Sequence, residues 1–341
     1  VYLPVERVLT EMSSANPLLV GAAAVVYVLS WPLRGARYRD ILEELGYTES
    51  LGFLTGAVFV SQTGNLVFPA RAGDAVRAYV VKARRSIPYP TGFASLAVER
   101  VFDLLTITVM AGTVLLGLTA SGEAAQLVEA VTGAKEGEAA RMAVAVAGGV
   151  GPAAIAAVVA IVASARSDRN LVRGVVQYVS TDSYADYVAG IVEQFVGDVQ
   201  TVANDREAFF RVGASSLAIW SLDVVTALLV LVAFPSVSLD PVTLVTVGFF
   251  AVSVGNLAKV LPLSQGGVGL YEAAFTVFVW GLTPLGWEIA VGAAILDHAV
   301  KNVVTLIGGI GSMFSLNVSL TTAVEEGTDV AANSDPASLD D

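Results

Sequence analysis

Two stretches of the sequence decide the fold: GNLVFPARAGDAVR, residues 64–77, and GNLAKVLPLSQGGVGLYE, residues 255–272. In each stretch a Gly-Asn pair within an apolar segment is followed by a proline and then by a glycine, residues that interrupt helices. Equivalent residues lie 191 to 194 positions apart: Asn65 and Asn256, Pro69 and Pro262, Gly73 and Gly266, Asp103 and Asp297. This near-constant offset predicts a duplicated unit.

The composition indicates a membrane protein. Of the 341 residues, 55% are hydrophobic and 15% are charged, whereas soluble domains carry about 25% charged residues. Several apolar runs reach the roughly 20 residues that are needed to cross a bilayer. The apolar runs are 17–33, 51–69, 91–118, 141–164, 211–234, 242–262, 270–283 and 287–314.

The charges of the connecting segments predict the orientation of these runs. Cytoplasmic loops are enriched in Lys and Arg, and the two most basic segments are 34–50 and 70–90. Both lie on one side of the membrane only if the run 51–69 enters and leaves at the same face. We therefore predict a re-entrant segment, with three crossings between equivalent spans. An odd number of crossings turns the second half upside down, as in the inverted repeats of many transporters.

The sequence thus predicts an all-α fold: a polytopic transmembrane helical bundle with two repeated, inverted halves, each with a re-entrant or broken helix. Residues 1–164 form the first membrane repeat, and residues 211–316 form the second. Between them, residues 165–210 carry apolar side chains at helical spacing and predict a cytoplasmic amphipathic linker. Residues 317–341 contain six acids and no base, which predicts a disordered acidic tail.

Residue counts argue against several classes of function. The chain has no cysteine and one histidine, so we expect neither disulfides nor a histidine-based metal site. That histidine, His298, is interpreted as structural. No Walker pattern or dinucleotide fingerprint occurs, so no cofactor is expected. The net charge of −12 argues against nucleic acid as a partner. The acidic loops and low lysine usage suit a salt-loving source, although an ordinary acidic tail explains them equally.

Charged residues within the apolar runs are the strongest functional signal, because a charge at the bilayer centre costs at least ~2.5–3.5 kcal/mol. Glu99 and Asp103 lie one helical turn apart in the run 91–118, and Asp297 and Lys301 have the same spacing in the last run. Such residues tend to face a cavity and to carry function. The alternative is that they only form internal ion pairs that hold the bundle together.

The two breaks also suit an anionic ligand. The glycines from Gly266 to Gly269 expose backbone N–H groups, and the N-terminus of the helix that follows attracts anions. Glu272 lies in the first turns of that helix. Arg71 and Arg77 flank the matching break in the first half, so a phosphate at this place would meet guanidinium groups and free amides.

These residues resemble the lysylphosphatidylglycerol synthase transmembrane domain family, also described as flippase-like, which includes archaeal proteins of dolichol-phosphate sugar pathways. The resemblance covers about residues 17–314. It implies a membrane protein that handles lipids. In the best-known members a soluble aminoacyl transferase domain is fused to the membrane domain. Here only the acidic tail follows the last apolar run, so the resemblance implies translocation or lipid binding rather than lysyl transfer.

Our leading hypothesis is a multi-pass plasma-membrane flippase, not an enzyme, that moves a phosphate-bearing or otherwise anionic lipid between leaflets. Arg71, Arg77 and the glycine loop would hold the phosphate, and asparagine and aspartate side chains would line the cavity where the halves meet. The predicted lipid-binding residues are Asn65, Pro69, Arg71, Gly73, Asp74, Arg77, Glu99, Arg100, Asp103, Asn256, Pro262, Gly266, Gly267, Gly269, Glu272 and Asp297.

Two alternatives remain open from the sequence. One is a membrane enzyme that acts on a polyprenyl-phosphate sugar lipid, with Asp103 and Glu272 as acid and base. The other is a lipid-binding scaffold that transports nothing. The identity of the lipid and the formation of a homo-oligomer are also left open.

Overall fold

A computed structural model describes residues 5–68, 72–122, 201–202, 205–258, 265–320 and 322. Across these residues all regular structure is helical, as the sequence predicts, and they contain no strand. The helices are α1 (Val5–Ser14), α2 (Pro17–Glu44), α3 (Leu51–Val67), α4 (Gly73–Arg85), α5 (Tyr89–Ser121), α6 (Arg206–Val232), α7 (Pro241–Ala258), α8 (Leu270–Leu282) and α9 (Trp287–Leu316). A 3-10 turn, Gln265–Gly267, precedes α8.

Polar residues at the edges of apolar segments set where the long helices begin. Asn16 caps α2, because its side-chain oxygen accepts a hydrogen bond from the backbone N–H of Leu18 at 2.9 Å. Pro17 then occupies the first helical position, where no backbone N–H is needed. Asp205 caps α6 in the same way by accepting from the N–H of Ala208 at 2.9 Å.

Four helices, α2, α5, α6 and α9, are long and apolar enough to cross a membrane. The shortest has 27 residues, which corresponds to roughly 40 Å at 1.5 Å per residue. Their outward faces carry large apolar side chains: Leu18 in α2 is 81% exposed, and Phe314 in α9 is 83% exposed. Apolar faces of this kind suit contact with lipid rather than with water.

The helices α2 and α6 pack against each other in opposite directions. The N–H of Asn16, just before α2, donates to the carbonyl of Ala233, just after α6, at 2.8 Å. At the other end, Arg211 near the start of α6 pairs with Glu44 at the end of α2 at 3.1 Å. We call the end of the bundle with Glu44 and Arg211 the basic end, and the end with Asn16 and Ala233 the opposite end.

The helices α3 and α4 form a hairpin, here called the first hairpin, whose two ends lie together at the basic end. Arg85, at the end of α4, pairs with Glu49, just before α3, at 2.7 Å. Gly73 allows the two helices to approach closely near the tip, because a Cβ at this position would lie 1.9 Å from the carbonyl oxygen of Ser61. The tip therefore depends on a residue without a side chain.

The helices α7 and α8 form the second hairpin, which begins and ends at the opposite end. A short connection, 233–240, joins α6 to α7, and another, 283–286, joins α8 to α9. The start of α9 packs against the end of α6, since a Cβ at Gly292 would lie 3.4 Å from the ring of Phe234. The two hairpins therefore belong to different ends of the bundle.

Helix contacts in one half have counterparts in the other. Within each half every helix packs on the next, so that α2–α3, α3–α4 and α4–α5 correspond to α6–α7, α7–α8 and α8–α9. Between the halves, α3 packs on α9 as α7 packs on α5. The hairpin tips also meet, because a Cβ at Gly266 would lie 2.6 Å from Cδ2 of Leu66.

Two segments that we predicted as basic loops are largely helical. The first span does not stop at residue 33 but continues to Glu44, and α4 occupies most of the predicted loop 70–90. The physical reason is an inner apolar face that runs on past the arginines: Tyr38, Ile41 and Leu42 are fully buried. A count of basic residues does not detect such a face.

Several predicted segments cannot be compared with the structure. The run 141–164, nearly all of the linker 165–210 and most of the tail 317–341 lie outside the described residues. The boundaries of the two repeats and of the linker therefore stay predictions.

Candidate functional site

Charged side chains from three helices of the first half meet inside the bundle. Arg37 of α2 is fully buried and donates through Nη2 to Glu99 of α5 at 2.9 Å and through Nη1 to Asp103 at 2.6 Å. Arg77 of α4, also fully buried, donates through Nη1 to the other oxygen of Glu99 at 2.5 Å. Together with Arg100 these residues are here called the arginine cluster.

Several guanidinium N–H groups of the arginine cluster point at no acceptor. Within the described part of the chain, Arg77 Nε, Arg77 Nη2 and Arg37 Nε are buried and have no hydrogen-bond partner. The guanidinium of Arg77 lies 5.1 Å from the ring centroid of Tyr38, an attraction that supplies no oxygen. Because buried donors are nearly always paired in proteins, these three N–H groups indicate capacity for an additional anion.

Arg100 connects the arginine cluster to the tip of the first hairpin. Its side chain is 26% exposed and pairs with Asp74, at the start of α4, at 3.0 Å. It also lies 3.5 Å from Asp103. Asn65, near the end of α3, donates to Asp74 at 3.1 Å. The most accessible charged groups of the cluster thus lie where α3 turns towards α4.

The second half reaches into the arginine cluster through α6. Arg37 Nη1 donates to Ser216 Oγ at 3.0 Å, and Trp220 Nε1 donates to Asp103 Oδ1 at 3.0 Å. Asp103 therefore accepts hydrogen bonds from both halves of the molecule, and its position depends on the contact between α2 and α6.

A second group of buried charges, here called the lysine cluster, lies within the second half. The Lys301 ammonium of α9 is 3.1 Å from Asp223 of α6 and 2.9 Å from Asp297. The Tyr271 hydroxyl of α8 donates to Asp297 at 2.6 Å, and Asn256 of α7 donates to Asp223 at 3.3 Å. All four helices of the second half contribute a side chain to this cluster.

Glu272, at the start of α8, lies beside the lysine cluster, because the ring of its partner His298 is 4.9 Å from that of Tyr271. One carboxylate oxygen accepts from the N–H of Gly269 at 2.7 Å, and the other lies 2.6 Å from Nδ1 of the buried His298. Gly269 and Gly266 have φ values of 87° and 61°, a region that favours glycine. The turn before α8 thus depends on glycines that adopt positive φ values and on the Glu272 carboxylate that accepts from the Gly269 N–H.

The structure separates the predicted binding residues into groups. The arginine cluster and its surroundings contain Asn65, Gly73, Asp74, Arg77, Glu99, Arg100 and Asp103. The lysine cluster contains Asn256 and Asp297. The turn before α8 and the first turn of that helix contain Gly266, Gly267, Gly269 and Glu272. Pro69, Arg71 and Pro262 lie outside the described residues. A single cavity lined by all of these residues therefore stays a prediction.

Two residues that the sequence reasoning missed are central to the clusters. Arg37 was assigned to a loop, although the apolar spacing of Trp31, Tyr38 and Ile41 continues the helix across it. Asp223 was overlooked although it is a carboxylate within the apolar run 211–234, the same signal that identified Asp297. Among the described residues, no group of three His, Asp or Glu residues is placed to hold a metal ion.

The fold and these clusters define a class of protein: a helical membrane protein whose interior is bridged by ion pairs between its apolar helices. The chain belongs to the family described as the lysylphosphatidylglycerol synthase TM region, whose pattern matches residues 1–309. The family resemblance drawn from the two breaks is thereby confirmed.

Three proteins from archaea are similar to this chain. It is 64% identical over 336 residues to a protein of Haloferax volcanii named glycosyltransferase AglD, and the match covers 96% of this chain and 54% of that protein. It is 24% identical over 312 residues to a UPF0104 membrane protein of Methanothermobacter thermautotrophicus, covering 90% of this chain and 86% of the relative. A UPF0104 membrane protein of Methanocaldococcus jannaschii is 27% identical over 104 residues, or 30% of this chain and 31% of the relative.

The relative from Haloferax volcanii corrects one prediction. We expected the chain not to be an enzyme, and this is wrong, because a protein that is 64% identical to it is named a glycosyltransferase. The prediction rested on what the family resemblance implied, translocation or lipid binding rather than lysyl transfer, and this does not exclude catalysis of another kind. The chain spans about half the length of that relative. The relative comes from a halophilic archaeon, in agreement with the acidic composition of this chain.

Proposed function

We propose that this chain forms the multi-pass, plasma-membrane region of a glycosyltransferase that acts on a phosphate-bearing polyprenyl lipid, and that the arginine cluster receives the phosphate. The name of the 64% identical relative supports the reaction class. The arginines support the phosphate, because guanidinium groups bind phosphate oxygens through paired hydrogen bonds.

The observation that carries this proposal is the position of Arg100. It is partly exposed at the tip of the first hairpin, and the fully buried Arg37 and Arg77 lie behind it with N–H groups that have no acceptor in the described residues. One helical turn beyond Arg100, Leu104 exposes 39% of its surface on the same helix. A phosphate at Arg100 can therefore continue into an apolar chain that lies along α5.

Each residue at the tip has a role in this proposal. Arg100 makes the first contact with the phosphate. Its present partner, Asp74, releases Arg100 when the phosphate binds. Asn65 holds Asp74 and so sets how readily the pair opens. Trp220 and Ser216 fix the buried side of the cluster from α6, so that binding in the first half also depends on the second.

Binding to lipid nanodiscs that carry the purified protein tests this site. A short polyprenyl phosphate should bind, whereas the matching polyprenol without phosphate should not. Arg100→Gln should weaken binding by about tenfold to a hundredfold, the range for losing charged hydrogen bonds. Sugar transfer by the protein should fall in parallel. The control is Arg211→Gln, which removes an exposed arginine at the basic end. Equal losses in both variants, or none in either, would contradict the assignment.

The same proposal includes the arrangement of the halves as inverted repeats with re-entrant hairpins. It is supported by the opposite directions of α2 and α6, by the matched helix contacts, and by hairpins that begin and end at different ends of the bundle. The basic end carries Lys82, Arg84, Arg85 and Arg211, which favours a cytoplasmic position. Cysteines introduced at Glu49 and Arg85 should both react with a membrane-impermeant thiol reagent from the cytoplasmic side alone.

Translocation of the lipid is a second candidate function of the same site. It is favoured by one observation: the two hairpin tips, which approach from different ends, meet at Leu66 and Gly266. Vesicles that contain the protein and a fluorescent polyprenyl phosphate distinguish the candidates. Movement of the lipid between leaflets without any sugar donor supports translocation. Lipid binding and sugar transfer without such movement support only the glycosyltransferase proposal.

A further inference from the structure

We propose that Glu99 is an internal stand-in for the lipid phosphate: it occupies the position between Arg37 and Arg77 that the phosphate takes when the lipid is bound. The inference rests on the proposed function and extends it from the accessible Arg100 to the buried arginines. It assigns to Glu99 the role of a competitor, whereas the sequence analysis grouped it with the binding residues.

The geometry of Glu99 is that of a bound anion. Its two oxygens accept from two guanidinium groups on different helices, Oε1 from Arg37 on α2 and Oε2 from Arg77 on α4. The carboxylate is 3% exposed, and both arginines are fully buried. These are the only hydrogen bonds found for the Glu99 side chain in the described part of the chain. The carboxylate is held by the same two groups that a phosphate would engage.

A carboxylate satisfies this pair of arginines incompletely. It offers two oxygens, and three N–H groups, Arg77 Nε, Arg77 Nη2 and Arg37 Nε, have no acceptor among the described residues. A phosphate monoester offers three non-bridging oxygens and up to two negative charges. It can therefore accept from N–H groups that Glu99 leaves unsatisfied, and each buried donor that gains an acceptor favours the exchange.

Asp103 differs from Glu99 and marks the fixed side of the cluster. It accepts from Arg37 and also from Trp220 of α6, and it lies near Arg100. Because its partners Arg37 and Trp220 belong to different halves, its displacement would disturb the contact between the halves. Glu99 has hydrogen-bond partners in the first half alone and is the carboxylate that can be displaced.

Arg100 completes an exchange of partners. It follows Glu99 directly on α5 and interacts with it electrostatically. A phosphate that first meets Arg100 and then moves to Arg37 and Arg77 leaves Arg100 available for the displaced Glu99. Every charge of the cluster then keeps a partner of opposite sign inside the membrane, as the cost of buried charge requires.

The test uses inorganic phosphate as the probe and thermal unfolding of the nanodisc-embedded protein as the readout. Glu99→Gln removes the competitor and should increase the apparent affinity for phosphate by about tenfold or more, an increase that corresponds to loss of one charge pair. Glu99→Asp keeps the charge but is too short to reach both guanidiniums, so it should lose less stability than Glu99→Gln and show a smaller increase in phosphate affinity. A structural role alone predicts loss of stability in both variants without any gain in phosphate binding.

Two controls make the result specific. The double variant Glu99→Gln with Arg77→Gln should lose the gain, and chloride at the same ionic strength should not reproduce it. Unchanged or weaker phosphate binding in Glu99→Asp, with polyprenyl phosphate still bound through Arg100, would overturn this inference and leave the proposed function standing. Failure of the unaltered protein to bind polyprenyl phosphate at all would instead overturn the proposed function.

Discussion

The arginine cluster and the lysine cluster both join the first and the last long helix of a half, but the cation and the acid change places between those two helices. Counted from the start of α5 and of α9, Glu99 corresponds to Asp297 and Asp103 to Lys301, whereas the sequence offset paired Asp103 with Asp297. In the first half the cation, Arg37, comes from the first long helix and meets acids on the last. In the second half the acid, Asp223, comes from the first long helix and meets Lys301 on the last.

This difference shows that similar helix contacts bury charge in both halves, while the individual residues determine what the charge can do. A guanidinium pair with unsatisfied donors suits an anionic ligand, as proposed for the first half. A compact ammonium between two carboxylates, with a tyrosine hydroxyl beside it, suits the locking of helices. The first half would then bind the anionic ligand, and the second half would hold its helices together.

The largest effect should come from removing the cation of the lysine cluster. Lys301→Met takes the ammonium away from two buried carboxylates and should lower the free energy of unfolding by ~3–5 kcal/mol. Thermal unfolding in detergent, followed by tryptophan fluorescence, measures this change. Adding Asp297→Asn to the same chain should restore part of the loss. If Lys301→Met cost no more than Arg211→Met at the exposed basic end, the cluster would not hold the half together.

A smaller loss of stability is expected when a glycine at the tip of the first hairpin is replaced, whereas a glycine at an ordinary position in a helix should tolerate replacement. Gly73→Ala introduces a Cβ where only 1.9 Å is available to the Ser61 carbonyl oxygen, which forces α3 and α4 apart and should cost ~1–3 kcal/mol. Gly21→Ala in α2 is the matched control. No atom lies within 4 Å of a Cβ at Gly21, so this change should be neutral or stabilising by up to ~1 kcal/mol. Equal unfolding temperatures for the two variants would contradict close packing at the tip.

The link between the halves at Asp103 should respond more weakly. Trp220→Phe removes the Nε1 donor but keeps most of the apolar ring, so the expected loss is ~1 kcal/mol for one hydrogen bond. Trp280→Phe, at a side chain that is 46% exposed, provides the comparison. Polyprenyl phosphate binding should weaken in Trp220→Phe and not in Trp280→Phe, because of these two tryptophans only Trp220 donates to the arginine cluster.

The smallest effect should appear at the start of the second hairpin. Hydrogen bonds from the Thr243 side chain and from the backbone N–H groups of Thr243 and Val242 hold the pKa of Asp240 below its usual value. A carboxyl group with a lowered pKa contributes stability above its unfolded-state pKa and loses it as the pH falls towards the folded-state pKa. Asp240→Asn should therefore slightly reduce the fall of the unfolding temperature below about pH 4. An unchanged acid profile would show that this cap contributes nothing measurable.

Much of the fold was predictable because the length of an apolar run and the residues that interrupt it are local properties of the sequence. The predicted runs 51–69, 270–283 and 287–314 differ from α3, α8 and α9 by no more than two residues at either end. The continuation of α2 was not predicted, because Arg34, Arg37 and Arg39 resemble an inner-leaflet loop when burial is unknown. The ion pair within α9 between Asp297 and Lys301 followed from their spacing alone.

The candidate site was predictable only in part, since its decisive contacts join distant segments. Spacing brought Glu99 and Asp103 to one helix face, but nothing local indicates that Arg37 meets both or that Trp220 donates to Asp103. The sequence also suggested one ligand site built from both breaks. The structure shows two charged clusters, and the one in the first half also takes contacts from Ser216 and Trp220 of α6, so a single site built from both breaks stays a prediction.

The meeting of the two hairpin tips has a thermodynamic consequence. Leu66 fills the space that a side chain at Gly266 would need, so a shift of one tip must be accommodated by the other. Any ligand that displaces the first tip thereby changes the free energy of the glycine turn before α8. By linkage the effect is reciprocal: if phosphate binds at Arg100 as proposed, a ligand beside Glu272 and His298 would alter its affinity by the same factor. The arginine cluster and the turn before α8 would then behave as a single cooperative unit, although no ion pair joins them among the described residues.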